Sequence, residues 1–361
     1  MFDIDLISSK PNRAKEWLEI LKNTDKPVII FTAGTTGQGR YQLLTKHGVK
    51  ISCFADNSEK KVGTNLVMDG KPVEVIGFQD ILNSYPDAYV VITSRINRQE
   101  ILKQFITARY NIDNLIAVDF SICDLNIREH IVSNYEQYQK AYGLFSDERS
   151  KDVFINKINF LSTGEDQFID LILEDGSMYF DSDITNLSGK EIVIDGGGYI
   201  GDTCMEFIKA AKTFEHYYLC EPDPENMRAA QSNLSEYSGI KFVPMGLWSG
   251  RDRLTFSARG TGSSRLSDFG ITQVEVTSID EILDGGPATF IKMDIEGAET
   301  EALRGAVKTI QKYKPKLAIC VYHKVGDFID IPLLIHKLNP EYVLYLRHYS
   351  VGRTDTVCYA V

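Results

Sequence analysis

The chain has 361 residues, enough for two α/β domains, and its 43% hydrophobic and 25% charged residues are the balance of a globular chain with a sizeable core. Its 50 acidic against 39 basic residues leave a formal charge of −11, and no basic block or basic–aromatic patch stands out, which argues against a nucleic-acid duplex as partner. The start, MFDIDLISSKPNRAKEW, lacks a basic-then-apolar leader pattern, and no apolar run reaches the length of a membrane span. Cys53, Cys123, Cys204, Cys220, Cys320 and Cys358 lie far apart with no C-x-x-C pair, the usage expected of reduced thiols in a cytoplasmic protein.

In chain order, KPVIIFTAGTTGQGRYQLLTKHG predicts a strand, a glycine turn and an amphipathic helix. KISCFADN and DAYVVITS read as further strands, RQEILKQFITARY as a helix and NLIAVDF as a closing strand. Strands alternating with helices imply a parallel sheet, so residues 1–124 are expected to form a Rossmann-like domain. Asp56 follows Gly37 at roughly the 20-residue spacing of a ribose-binding acid, but Thr32 stands where the fingerprint would have its first glycine. Binding of a nucleotide or nucleotide-sugar and a purely architectural or dimerising role both stay open for this domain. Residues 125–189 contain apolar positions at helical spacing without a Pro or Gly-Ser run, and are expected to be two or three connecting helices plus a lead-in, SMYFDSDITNLSGK.

Residues 190–361 form the second unit. EIVIDG, HYYLCEP, IKFVPMGLW, ATFIKMD, KLAICVYH, YVLYLRHY and TVCYAV are strand candidates, the last two close in sequence. Seven strands ending in a hairpin suit a class I methyltransferase sheet, whose final strand inserts antiparallel, better than a dinucleotide sheet. The expected fold is therefore α/β, with two Rossmann-like doubly wound sheets joined by connecting helices, the second of them seven-stranded.

EIVIDGGGYIGDTCMEFIKAA is a strand, a glycine turn and a helix that fits two cofactors. From Gly196 it reads G-x-G-x-x-G, the dinucleotide fingerprint; from Asp195 it reads D-x-G-x-x-x-G, the first motif of S-adenosylmethionine (SAM) methyltransferases. Gly197 and Gly201 let the backbone approach a ligand and the helix pack close. Asp195 would hold the turn or a ligand ammonium, while next to a pyrophosphate its charge would be unfavourable. Asp202 and Thr203 open the following helix. Glu221 ends the next strand roughly 20 residues beyond Gly201, where a carboxylate accepts both ribose hydroxyls of NAD or SAM alike. Asp223 and Glu225 are alternative helix-start acids there. Asp294 closes the strand FIKMD and would face the same crevice as Asp195.

VIDGGGYIGDT, LCEPDPENM, VEVTSIDEIL and FIKMDIEGAE, in this order and spacing, resemble FkbM-type methyltransferases over roughly Lys190 to Val361. The resemblance implies a SAM turn formed by Asp195, Gly196, Gly197, Gly198, Tyr199, Gly201, Asp202 and Thr203. It further implies a ribose site at Glu221 and Pro222, an adenine neighbour in Met245 and Gly246, and a hydroxyl acceptor, often on a sugar or glycosylated product. Tyr199 departs from the small or amide residue common there. The amino-terminal stretch ADNSEKKVGTNLVMDGKPVEVIG is similar to small Rossmann domains attached to sugar-modifying enzymes.

His323 ends KLAICVYH and is the expected base for the acceptor hydroxyl, with Asp294 positioning the acceptor or the SAM ammonium. SARGTGSSRLSDFG, with Gly262, Ser263 and Ser264, is the expected substrate loop, and Asp280 a helix-start residue. Asp294, Glu296, Glu299 and His323 also suit Mg²⁺, but the resemblance does not require a metal and none is assigned. The expected function is SAM-dependent O-methylation of a small-molecule or glycan hydroxyl. The alternatives are an NAD-dependent sugar oxidoreductase and a non-catalytic SAM-binding scaffold.

Overall fold

The structure is a computed structural model describing residues 2–94, 97–257 and 271–361. The expected loop residues Gly262, Ser263 and Ser264 lie outside the described residues.

The first sheet contains β1 (Val28–Phe31), β2 (Cys53–Ala55), β3 (Asn65–Met68), β4 (Lys71–Ile76), β5 (Tyr89–Ile92) and β6 (Leu115–Ile116), in the order β3-β4-β2-β1-β5-β6. The wholly apolar VIIF of β1 is buried along its length, as a strand covered on both faces must be. Only β3 with β4 pairs antiparallel. That hairpin is absent from the strands predicted above. Asp69 and Gly70 turn it, both with positive φ (49° and 74°), the conformation a two-residue D-G hairpin turn requires.

The second sheet contains β7 (Ile192–Gly196), β8 (His216–Cys220), β9 (Ile240–Val243), β13 (Phe290–Met293), β14 (Lys316–Cys320), β15 (Leu344–His348) and β16 (Thr356–Ala360). Its order is β15-β16-β14-β13-β7-β8-β9, with β16 running antiparallel between β14 and β15. The mixed α/β architecture with two large sheets, the second seven-stranded, is the one expected; the first sheet has six strands. The predicted strand IKFVPMGLW divides at Pro244, which has no N–H to offer a ladder. Beyond it, β10 (Gly246–Leu247) joins β11 (Asp252–Ser257) and β12 (Ile271–Thr277) in a small separate sheet, β10-β12-β11, which the sequence reading missed.

Between the two large sheets run helices Ile127–Ser133, Tyr135–Leu144, Glu148–Thr163 and Gln167–Asp170. Asp147 caps the longest of them, accepting the Ser150 N–H (2.8 Å), and Gly164 ends it in a left-handed conformation. Phe154 on this helix stacks on Phe328 (4.9 Å between centroids), and Ser150 Oγ accepts the Leu346 N–H of β15 (2.9 Å). Phe2 lies 5.7 Å from Tyr138 and 5.8 Å from Phe154, so the first residues, the connecting helices and the seven-stranded sheet share one core. All six cysteines are buried and unpaired, and among the described residues no helix is long and apolar enough to cross a membrane.

Candidate active site

Parallel register assembles the site. Gly196 pairs with both Met293 and Cys220, and Met293 with Ile319, so Gly197, Glu221 and Asp294 leave the sheet together. They do so where the strand order reverses, between β7 and β13, the position at which open α/β sheets hold ligands.

The glycine turn is built by close approach. A Cβ on Gly197 (φ +74°) would stand 1.9 Å from the Asp294 carbonyl oxygen, so no side chain fits at this crossing of β7 and β13. Gly197 and Gly198 N–H both donate to the Cys220 carbonyl at 3.0 Å. Gly196 packs under Leu247, the last residue of β10, which follows Met245. Gly201 is the N-cap of helix Asp202–Ala211, whose first turn carries exposed Asp202 and half-buried Thr203. Tyr199, half exposed, holds φ +45° at the tip of the turn.

Asp195 points inward. It is 0% exposed, its Oδ1 pairs with Lys292 Nζ (2.9 Å), and its Oδ2 accepts the Tyr217 hydroxyl (2.7 Å). The same ammonium donates to the Gly196 and Gly197 carbonyls (3.0 and 2.8 Å). Burial opposes a charged Lys292, but Asp195 and then Asp294 outweigh it and hold its pKa above the ordinary lysine value. Of the two roles expected for Asp195, its contacts are those of a residue holding the turn. Lys292 was missed, although a lone lysine within the buried run FIKM carries a signal: such a charge stays buried only when paired.

Glu221, 7% exposed, accepts the Tyr199 N–H at Oε2 (3.0 Å) and the Asp223 N–H at Oε1 (2.8 Å). The next helix is capped by Asp223, which accepts from Glu225 and Asn226, and begins at Pro224. Glu221 is therefore not its cap; it lies against the glycine turn, with half-buried Pro222 beside it. Burial raises its pKa above the usual glutamate value. Asp280 accepts the N–H groups of Lys308 and Thr309, so it serves the start of helix Val307–Tyr313 rather than its own.

Asp294 and His323 do meet. Asp294 Oδ1 accepts the Tyr322 hydroxyl and Oδ2 the Tyr179 hydroxyl, each at 2.8 Å. His323 Nε2 lies 3.2 Å from Asp294 Oδ1 and 3.8 Å from Glu296 Oε2, while Nδ1 lies 2.9 Å from Glu299 Oε1. Burial resists charging of Asp294, but His323 and Lys292 overcome it and hold the carboxyl well below the usual range. Burial likewise resists charging of His323; Asp294 and Glu299 prevail and push its pKa up to about 10. In this state the ring carries a proton at neutral pH. Tyr179, which reaches in from the connecting segment before β7, had no local motif to reveal it. Tyr179, Tyr199 and Glu296 all hold positive φ (73°, 45° and 56°), a clustering of backbone strain of the kind found at functional sites.

This ring makes a pH prediction. A raised pKa means the folded state binds the proton more tightly, so its contribution to stability is complete below the unfolded value near 6.5. It fades as pH climbs from there to about 10. In metal-free buffer, the gap in denaturation midpoint between the parent and His323→Gln should shrink across that window. Parallel profiles from pH 6.5 to 10 would show that the ion pairs do not hold the proton.

In the first sheet, Asp56 accepts the Ala33 and Ser58 N–H groups (2.9 Å each) and the Lys61 ammonium (2.9 Å). It thus closes on its own turn as Glu221 does on the second.

Residues 195–350 match the family described as methyltransferase FkbM domain. A crystal structure of methyltransferase FkbM from Methylobacillus flagellatus KT is similar over 99% of this chain and 96% of its own, with 25% identity and a TM-score of 0.77. Fibrillarin from Aeropyrum pernix with bound S-adenosyl-L-methionine (10% identity, TM-score 0.33, 48% of this chain and 69% of that one) is far more distant. An rRNA methylase from Streptococcus thermophilus (13%, 0.33, 50% and 90%) is equally so. Likeness at that level carries no functional argument. No curated protein matches the sequence.

Proposed function

We propose that this chain, which carries a methyltransferase FkbM domain at residues 195–350, transfers a methyl group from SAM to a hydroxyl of a sugar, glycan or glycosylated metabolite. The observation that carries the reading is the in-register exit of the glycine turn, Glu221 and Asp294 at the switch point between β7 and β13. Gly196 to Gly198, Tyr199 and Gly201 would lie along the methionine part, with Asp195 and Lys292 fixing the turn from below. Asp202 and Thr203 would face it from the first helical turn. Glu221 and Pro222 would meet the ribose, and Met245 and Gly246 the adenine.

The SAM sulfonium makes its methyl group strongly electrophilic, so these residues chiefly align an acceptor oxygen behind it. Asp294 and His323 stand at the ends of adjacent strands, where that oxygen would enter. In the protonated state described above, His323 donates its Nε2–H to Asp294; it takes up the acceptor's proton only after that Nε2 proton has passed to solvent water.

Two measurements on the full chain test the reading. Calorimetry should show SAM binding more tightly than NAD; the reverse order would favour an oxidoreductase and reject the proposal. Labelled methyl from SAM should pass to a carbohydrate-containing fraction of a cell extract. Tight SAM binding with no labelled product in any fraction would instead point to a cofactor-sensing scaffold.

A further inference from the structure

We propose that His47, Cys123 and Asp124 bind one Zn²⁺ ion, which clamps the first domain where the chain leaves it. The inference does not rest on the methyl-transfer reading.

Local structure brings the three residues together. His47 caps the carboxyl end of helix Thr35–Lys46, its N–H donating to the Leu43 and Leu44 carbonyls, and the chain turns away at once through Gly48 (φ +88°). Cys123 closes the 3₁₀ turn Phe120–Ile122 in a helical conformation (φ −62°, ψ −30°). In an extended chain Cys123 and Asp124 would point to opposite faces; the turning backbone lets both reach the same side. Arg40, midway along the helix, meets Asp119 (3.1 Å), and His47 at its end meets Cys123, so the chain beyond β6 runs down the helix.

Their donor atoms converge. His47 Nε2 lies 3.2 Å from Asp124 Oδ2 and 3.9 Å from Cys123 Sγ, and the ligand atoms of all three residues lie within 4.8 Å of one another. A tetrahedral Zn²⁺ with sulfur at about 2.3 Å, and nitrogen and oxygen at about 2.0–2.1 Å, sets its ligands about 3.3–3.6 Å apart. The three atoms therefore need little movement to share one ion. An ion pair of His47 with Asp124 would by itself need no sulfur turned toward the same ring nitrogen.

The donor set chooses the metal. A thiolate with an imidazole suits Zn²⁺, whereas Mg²⁺ and Ca²⁺ take oxygen ligands. The Cys123 thiolate and the Asp124 carboxylate together balance the divalent charge, and the thiol proton passes to solvent as the ion binds. Cys123 is 3% exposed, while the His47 and Asp124 side chains are 22% and 63% exposed. The ion thus enters past Asp124, and water completes the tetrahedron on that side.

Placement gives the role. The helix starts at the carboxyl end of β1, so its far end lies away from the crevice where this sheet would hold a ligand. His47 and Cys123 are 76 residues apart in the chain, and a link across so long a loop restricts the unfolded state strongly. The clamped turn also bears on the rest of the molecule. Its Ile122 carbonyl accepts Asn12 Nδ2 (3.3 Å), and its Ser121 carbonyl accepts the Arg353 guanidinium from the β15–β16 hairpin (3.0 Å). The ion stiffens the joint at which the two large sheets are tied.

Co²⁺ and Zn²⁺ are the probes. The full chain, reduced, treated with EDTA and gel-filtered, should take up Co²⁺ with the sulfur-to-cobalt charge-transfer band that a thiolate ligand produces, and Zn²⁺ should displace it. Co²⁺ held by carboxylates elsewhere gives no such band. Cys123→Ser should abolish the band. Asp124→Asn changes an exposed side chain and should fold normally by circular dichroism. It should weaken Zn²⁺ by more than the about 10–100-fold that losing an outer-shell partner costs. Stoichiometric Zn²⁺ should raise the melting temperature of the parent and leave that of Asp124→Asn nearly unmoved. The inference is overturned by absence of the band in excess Co²⁺, by its survival in Cys123→Ser, by parent-like Zn²⁺ affinity in Asp124→Asn, or by parent melting that Zn²⁺ does not change.

Discussion

Asp195→Asn should cost about 3–5 kcal/mol of folding stability, the penalty for leaving one member of a buried ion pair uncompensated. Lys292 is 2% exposed and would keep its charge with two backbone carbonyls, the Tyr179 ring (5.2 Å) and the Asp294 carboxylate, which it does not bond, for company. Removing both charges, as in Asp195→Leu with Lys292→Met, should regain much of the loss, because apolar residues of similar size often replace a buried pair without penalty. The double variant should still bind SAM poorly, since the Gly196 and Gly197 carbonyls lose the donor that sets the turn. Denaturant midpoints for the cycle, with calorimetry of SAM alongside, separate the two effects. An Asp195→Asn variant within about 1 kcal/mol of the parent would mean that the pair is not a buried, charged one.

Glu221→Ala should reduce SAM affinity by roughly 10²–10⁴-fold. Each charge-assisted bond from a ribose hydroxyl is worth about 1.5–3 kcal/mol, and two are expected. The side chain also ties Tyr199 to Asp223 through their N–H groups, so alanine loosens the turn as well. Glu221→Gln, of the same shape and with one acceptor oxygen, isolates the ribose contribution and should still lose at least about tenfold. Calorimetry on variants whose melting is cooperative decides the matter. Parent-like affinity in both would remove Glu221 from the cofactor site.

The parts of this site that local sequence could reveal are those where the backbone itself does the work. A turn that admits no Cβ at Gly197, an acid that follows the last paired residue of β8, and another that follows β13 all leave a mark at a fixed distance from a β-branched run. The small β10-β12-β11 sheet left none, because its pairing is set by Pro244 expelling the chain from the main sheet and by a partner some thirty residues away. The β3–β4 hairpin did have its D-G turn in plain view; charged residues on both sides hid the strands. Tyr179 and Tyr322 are ordinary tyrosines until folding brings them to opposite oxygens of Asp294. The environment of His323 was the hardest to read. That KLAICVYH ends in a histidine is visible, but whether the ring takes or gives a proton depends on Glu299 reaching it from the helix that follows β13.

The sharing of one core by Phe2, Tyr138 and Phe154 sets a timetable for synthesis. Residues 2–10 belong beside side chains made about 150 residues later: the Ser8 N–H donates to Asn159 Oδ1, and Lys10 pairs with Glu165. At about 5–20 residues per second, that interval is roughly 10–30 s. During it the six-stranded sheet, whose strands all lie before residue 117, has every partner it needs and can close. The opening segment, with the bare aromatic ring of Phe2, must wait outside it. A nascent chain stalled near residue 150 should therefore present a folded six-stranded domain with the apolar segment around Phe2 still exposed, which is the kind of surface that chaperones hold.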